Sequence, residues 1–501
     1  MDVILNLLSG FSVALAPQNL MFAFLGSFLG TLIGVLPGIG PAAGCALLIP
    51  LTARIDPTGS IIMLTALFYG TQYGGTITSV LLNVPGEASS VVTCLDGYQM
   101  AKKGRAGVAL SISAIGSFIG GTLASIALVV VAGPLTRLAL EFGPVEFFAL
   151  MVLGLSLLMG LTGKSMIKAL MMGIFGLLLS MVGMDPVRGS PRFTFGRMEL
   201  MDGIGFVPVI MGLFGLAEIL ENAEKRFDQV LQSELSSLMP TRQDIKDSAL
   251  PILRGTVLGT LLGLIPGMTN SASSFLSYAM EKKLSKRPVK FGTGAIEGVV
   301  GPETANNAHA NGALIPLFTL GIPASPTIAV IMGAFMMNGI VPGPFLFKDH
   351  PALVWGVIAS FFIGNVILLI LNLPLIRLWV MVLRIPYSIL FGLILAFMII
   401  GVYGLDNSAF DIMTMVVFGV LGYLLRKLDF PQAPVVLTLI LGPLMERSLR
   451  TSMEMSQGDF AILWSTPISA GLLIAAAAVL ISSALRFLPI GKSLPSGDEE
   501  V

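Results

Sequence analysis

The densest polar run in this chain is Glu303-Thr-Ala-Asn-Asn-Ala-His-Ala-Asn311, set within otherwise apolar sequence. So many amide, hydroxyl and carboxyl groups in one span require water or a ligand. Similar clusters recur beside glycine and proline. One holds Thr71, Gln72, Thr76, Thr78, Asn83, Glu87, Ser89 and Ser90; another holds Thr269, Asn270, Ser271, Ser273, Ser274 and Ser325. Neutral donors and acceptors of this kind suit a multivalent carboxylate that must be held by many hydrogen bonds and still leave. Glu87 and Glu303, set among oxygens, could host Na⁺ or carry a proton. No arginine lies in these clusters, and His309, without Cys or His partners, makes no metal site.

Such groups need a scaffold, and composition indicates which. Of 501 residues, 54% are hydrophobic and only 12% charged, against about 25% charged in ordinary soluble domains. Mean hydropathy is +0.88, and apolar runs such as 112–131 and 355–373 reach the ~20 residues needed to cross a bilayer. These features predict an all-α polytopic membrane protein. Zero net charge gives no basic balance for nucleic acid, and Cys45 and Cys94 fit neither a disulfide framework nor a metal site.

The scaffold carries an internal echo. Gly30-Thr-Leu-Ile-Gly-Val-Leu-Pro-Gly38 returns as Gly259-Thr-Leu-Leu-Gly-Leu-Ile-Pro-Gly267, with six of nine residues identical. Each copy predicts a re-entrant hairpin with a Pro-Gly tip (Pro37, Gly38 and Gly40; Pro266 and Gly267) between arms of about 12 residues, or ~18 Å. A second break follows each hairpin: Asn83-Val-Pro-Gly-Glu-Ala-Ser-Ser90, with Pro85 and Gly86, and Gly321-Ile-Pro-Ala-Ser325, with Pro323. Repeats of this kind bring a transporter's substrate site to the broken segments. The expected organisation is an apolar segment 1–19, a first repeat 20–220, a connecting segment 221–253, a second repeat 254–486 and a polar tail 487–501.

Lysine and arginine favour cytoplasmic loops. None precedes Arg54, whereas Lys282, Lys283, Lys286, Arg287 and Lys290 flank the second hairpin; Lys102, Lys103 and Arg105 follow the first break, but after the second only Lys348 lies between Met336 and His350. Equivalent loops therefore fall on opposite sides, which predicts inverted topology. Arg188, Arg192 and Arg197 sit awkwardly in a loop assigned outside, and segment 433–445 could cross or re-enter.

Other readings compete. Gly30, Gly34 and Gly38, or Gly116, Gly120 and Gly121, also fit helix-packing surfaces. Broken helices build channels as well as carriers, so an anion channel is the alternative function. An enzyme would need a nucleophile–base pair or a metal cluster, and no such motif is found. Gly160-Leu-Thr-Gly-Lys-Ser165 lacks the first glycine of a phosphate loop, since Leu158 stands there, which removes an ATPase.

The paired Gly-Thr-Leu-(Ile/Leu)-Gly-x-x-Pro-Gly segments resemble the large membrane subunit of the tripartite tricarboxylate transporter family. So do Tyr69-Gly-Thr-Gln-Tyr-Gly-Gly75, Asn83–Ser90, Gly301-Pro-Glu-Thr-Ala-Asn-Asn307 and Gly321–Ser325. The resemblance implies a multi-pass subunit of the bacterial inner membrane with about twelve membrane segments. It implies a small four-helix membrane partner and a periplasmic solute-binding protein that delivers an organic acid. It also implies transport driven by an ion gradient, with no cofactor beyond a coupling ion, Na⁺ or H⁺. The expected substrate and ion site comprises the two tips, Asn83–Ser90, Thr269–Ser273, Glu303, Thr304, Asn306, Asn307, Gly321, Pro323 and Ser325. Citrate, other di- and tricarboxylates and aromatic acids remain open.

Overall fold

The computed structural model describes residues 2–36, 38–139, 141–161, 165–185, 189–224, 238–382 and 387–487. Pro37, Gly163, Lys164, Arg188, residues 225–237 of the expected connector and residues 488–501 of the tail lie outside them. Among the described residues the fold is helical throughout, apart from one short antiparallel pairing of Gly183–Met184 with Pro191–Arg192. Among the described residues five helices are long and apolar enough to cross a membrane: Pro17–Val35, Ala106–Pro134, Phe206–Ala223, Pro351–Asn372 and Ala409–Lys427. Ile167, Ile400 and Val130 leave 72%, 66% and 64% of their surfaces uncovered, as lipid-facing positions do.

Local chemistry explains where helices begin and stop. Pro17, Pro41, Pro57, Pro326 and Pro351 open helices at their first turn, where a missing N–H costs nothing. Asp56, Thr269 and Ser325 cap the amides of Gly59, Ala272 and Ile328 at 3.0, 3.2 and 3.3 Å. The Pro57–Leu82 helix ends on Asn83 and the Leu314–Leu320 helix on Gly321, both left-handed, with φ of 57° and 71°. A left-handed residue is a regular helix terminator.

Both Pro-Gly segments form helix–turn–helix pairs with arms of unequal length. Pro17–Val35 and Pro41–Thr52 flank the first turn, Arg242–Gly263 and Asn270–Leu284 the second. The first arms, 19 and 22 residues long, exceed the expected 12. In the second pair the excess comes from Arg242, Asp244 and Lys246, polar residues that suggest a connector. Thr241 and Asp244 instead form a reciprocal capping box that starts the helix there.

Each long arm packs on a polar partner helix through glycines spaced one turn apart. A Cβ on Gly26, Gly30 or Gly34 would sit 2.3, 2.4 and 2.3 Å from the carbonyl oxygens of Met63, Leu67 and Thr71. On Gly255, Gly259 or Gly263 it would sit 2.6, 2.1 and 2.7 Å from those of Gly301, Ala305 and His309. Only glycine allows backbones so close.

Side-chain contacts sort the loops to two ends of the bundle. At one end Arg105 pairs with Asp244 (2.6 Å), Arg426 with Glu221 (3.2 Å) and Lys427 with Glu224 (2.8 Å), while Lys168 donates to the Leu428 carbonyl (2.6 Å). At the other, Arg54 donates to the Gly404 carbonyl (3.0 Å), and Arg192 and Arg450 bind Glu446 (2.7 Å each) and Asp185 (3.5 and 3.0 Å). Segment 433–445 is part of one 23-residue helix, Ala433–Met455, running from the first end to the second.

Candidate functional site

The Glu297–Gly312 helix is buried without interruption from Gly298 to Gly312. Helices from elsewhere in the chain supply partners to many of its polar groups, while Thr304 Oγ1, Asn307 Oδ1 and Asn311 Oδ1 are buried without a hydrogen-bond partner among the described residues. Glu303 is the hub. Thr76 donates to its carboxylate at 2.7 Å, Asn306 at 3.2 Å, and Thr93 donates to its other oxygen. Asn307 donates to Ser117 (2.8 Å), to the Asn306 side chain (2.7 Å) and to the Glu303 carbonyl (3.0 Å). The second hairpin's return arm closes the near side: Asn270 donates to the Asn306 carbonyl at 3.1 Å, and Ser273 bonds His309 Nδ1 at 2.7 Å.

Glu87 forms a second hub on the adjoining turns of the Pro57–Leu82 helix. Ser89 donates to Glu87 and to Gln72 (2.9 Å), and Ser90 closes the turn on the Glu87 carbonyl (2.9 Å). The Glu87 side chain lies over Gly75, where an added Cβ would come within 2.8 Å of its Cγ. Gly75 immediately precedes Thr76, the Glu303 donor, so the two acids meet the same turn of this helix at adjoining positions. Both are buried, at 7% and 0% exposure, and among the described residues no Lys or Arg bonds or pairs with either. Two desolvated carboxyls without a basic partner call for protons or a bound cation.

The remaining expected residues are distributed around these hubs. Gly86 backs onto the first hairpin, where a Cβ would meet the Gly34 carbonyl oxygen at 2.0 Å. The first tip turns through Gly38, whose φ is +91°. Its carbonyl accepts from Asn222, and the Gly40 amide donates to Glu218 at 2.8 Å. Glu218 and Asn222 follow directly on the π-helical turn Met211–Leu216, an irregularity common at functional sites. The second tip, at Pro266 and Gly267 (φ +89°), donates the Gly267 amide to the Ala324 carbonyl at 2.9 Å, beside Pro323. Thr304 faces Gly116 and Gly120 in the helix interface. Asn83 is exposed as a cap, Pro85 and Ser271 are half-buried, and Ser325 caps its helix.

Thr93, Ser117, Glu218, Asn222 and Asp96 escape sequence reasoning, because each meets its partner across more than 100 residues. Asp96 is fully buried and accepts from the amides of Gly292 (2.9 Å), Gly294 (2.7 Å) and Ala295 (2.8 Å) and from Tyr278 Oη (3.0 Å). Gly292 and Gly294, at φ of 85° and 106°, turn those amides inward. The carboxylate thereby pins the chain that leads into the Glu303 helix. Asp96→Asn is expected to destabilise the protein by about 3 kcal/mol, since an NH₂ group would confront buried donors. An unchanged melting temperature of the purified variant would remove this role.

Comparison with known proteins adds to this geometry. The chain is 50% identical over 486 residues, 97% of both chains, to an "Uncharacterized 52.8 kDa protein in TAR-I ttuC' 3'region" of Agrobacterium vitis. It is 53% identical over 215 residues, 43% of this chain and 89% of the other, to an "Uncharacterized protein in TAR-II ttuC' 3'region" of the same organism. No solved structure matches. The model of the tripartite tricarboxylate transporter TctA family matches residues 20–437, and with the broken helices and buried carboxyl hubs on which those residues converge, the chain belongs to that family.

Proposed function

We propose that this chain is the permease subunit of an ion-gradient-driven secondary transporter. It imports tricarboxylates or related organic carboxylates delivered by a periplasmic solute-binding protein, and it works beside a small four-helix membrane subunit in the bacterial inner membrane. The observation that carries the reading is Glu303: a buried carboxylate held, among the described residues, only by neutral donors, two of them, Thr76 and Thr93, from the other half of the chain. A coupling ion, Na⁺ or H⁺, supplies the charge that the protein withholds from this hub, and the solute carboxylates take the freed amides at the breaks.

Two inverted repeats, 20–220 and 254–486, joined by 221–253, give the moving parts. Support comes from the twin glycine contacts, from left-handed Asn83 and Gly321 at equivalent breaks, and from the gathering of Arg105, Lys168 and Lys427 at the end taken as cytoplasmic. Uninterrupted burial of the Glu303 helix favours an occluding carrier over an anion channel. Replacing Asn306 and Asn307 together with Ala should reduce labelled-carboxylate uptake to background while the protein remains in the membrane. Uptake at the normal rate by that double variant would exclude this site.

A further inference from the structure

A cavity lies away from the Glu303 hub, at the end of the bundle that holds Asp185 and Gly404. It is a cleft of about 790 Å³ between the Pro144–Leu161 helix, the loop from Gly339 to Leu346 and the middle turns of Ala433–Met455. Its volume suits a small organic molecule. Leu150, Met151, Leu320 and Leu441 give it apolar walls, and Gly321, the left-handed residue of the second break, lines it. The cleft therefore opens directly onto one of the broken helices.

Charge in the cleft is unevenly spent. Glu446 and Arg450, on either side of Arg447 in sequence, are both engaged: Glu446 by Arg192 and Arg450, and Arg450 also by Asp185. Arg447 lines the cleft with Ser448 and His350, is exposed, and has no ion pair or side-chain hydrogen bond among the described residues. Among the described residues Asp349 is the one acid of the lining, and no ion pair joins it to Arg447. A guanidinium kept free beside a hydroxyl, over apolar walls, matches a carboxylate on a short carbon skeleton.

We infer that Arg447, with Ser448 and His350, forms an outer capture site for multivalent organic carboxylates, which then pass to the break at Gly321–Ser325. The inference rests on the proposed carboxylate import. It adds the arginine that the breaks lack, at a place where a solute can be held briefly before the deeper, neutral site takes it. Asp349 opposes capture and speeds release.

The test is titration of the purified full-length chain in detergent with citrate, malate, tartrate and succinate, with acetate as the monovalent control, in choline chloride. At least one polycarboxylate should bind, acetate at least tenfold more weakly. Arg447→Gln should weaken that binding about tenfold, Arg447→Lys by no more than about threefold, because the charge remains but the planar fork is lost. Asp349→Asn should tighten it about twofold to threefold. Raising choline chloride should weaken binding to the wild type more than to Arg447→Gln. Absence of polycarboxylate binding to the wild type, or unchanged affinity in Arg447→Gln, overturns the site. Failure of the transport reading looks different: the wild type binds, yet cells carrying it with its accessory subunits accumulate no labelled carboxylate.

Discussion

Glu303→Gln is expected to abolish net carboxylate accumulation, by about two orders of magnitude, without removing the protein from the membrane. The scale follows from losing a charge-assisted contact of up to about 3 kcal/mol, at ~1.4 kcal/mol per decade. Shape is retained: the glutamine oxygen still accepts from Thr76 and Asn306, and its NH₂ group donates to Thr93, whose hydroxyl turns from donor to acceptor. Charge is not. If Glu303 carries a proton, the glutamine variant mimics the loaded state, so exchange of labelled for unlabelled solute persists while uphill uptake fails. If Glu303 holds Na⁺, exchange and its sodium dependence fall together. Counterflow measured beside accumulation separates the two, and the absence of trans-stimulation in the wild type would indicate a pore. Normal accumulation by Glu303→Gln would reduce Glu303 to a structural acceptor and withdraw its coupling role.

Much of this arrangement is legible in the residues themselves, since turns and broken helices leave local marks. Pro and Gly at the tips, the caps at Asn83 and Gly321 and the polar run 303–311 all announce where regular helix is interrupted or must find partners. The glycines are subtler. Gly38 and Gly267 make turns at positive φ, but Gly30, Gly34 and Gly259 serve the packing role that also fits their spacing. What sequence hides is which polar groups meet. Thr93 sits in an unremarkable apolar setting 210 positions from Glu303, and Ser117 lies 186 from it. Glu218 and Asn222 lie at the end of a span beside a charged interval, and no local motif marks that they meet the first tip, 178 and 184 positions away. Helix lengths fail for a related reason: Arg242–Lys246 carry charge, but a reciprocal cap outweighs that signal.

The glycine contacts yield the other large effect. Gly259→Ala should sharply reduce recovery of folded protein, because its methyl would lie 2.1 Å from the Ala305 carbonyl oxygen and 2.9 Å from the Ala305 Cα. Backbone, unlike a side-chain tip, cannot rotate aside. Overpacking of this kind costs about 1–3 kcal/mol and sometimes more, a large share of a ~5–15 kcal/mol stability. Gly30→Ala meets the Leu67 oxygen at 2.4 Å and the Leu67 Cα at 2.8 Å, so a comparable loss is expected in the other half. Gly471→Ala is the control: within the Pro467–Phe487 helix its methyl has open space around it, and helix propensity favours alanine by up to about 1 kcal/mol. Monodisperse yield and melting temperature after solubilisation would decide. Equal behaviour of Gly259→Ala and Gly471→Ala would mean that the long arm does not sit tightly on the Glu303 helix. A joint loss at Gly30 and Gly259, with Gly471 unaffected, would mean that the close seating of each long arm on its polar partner helix is a shared stability determinant of both halves.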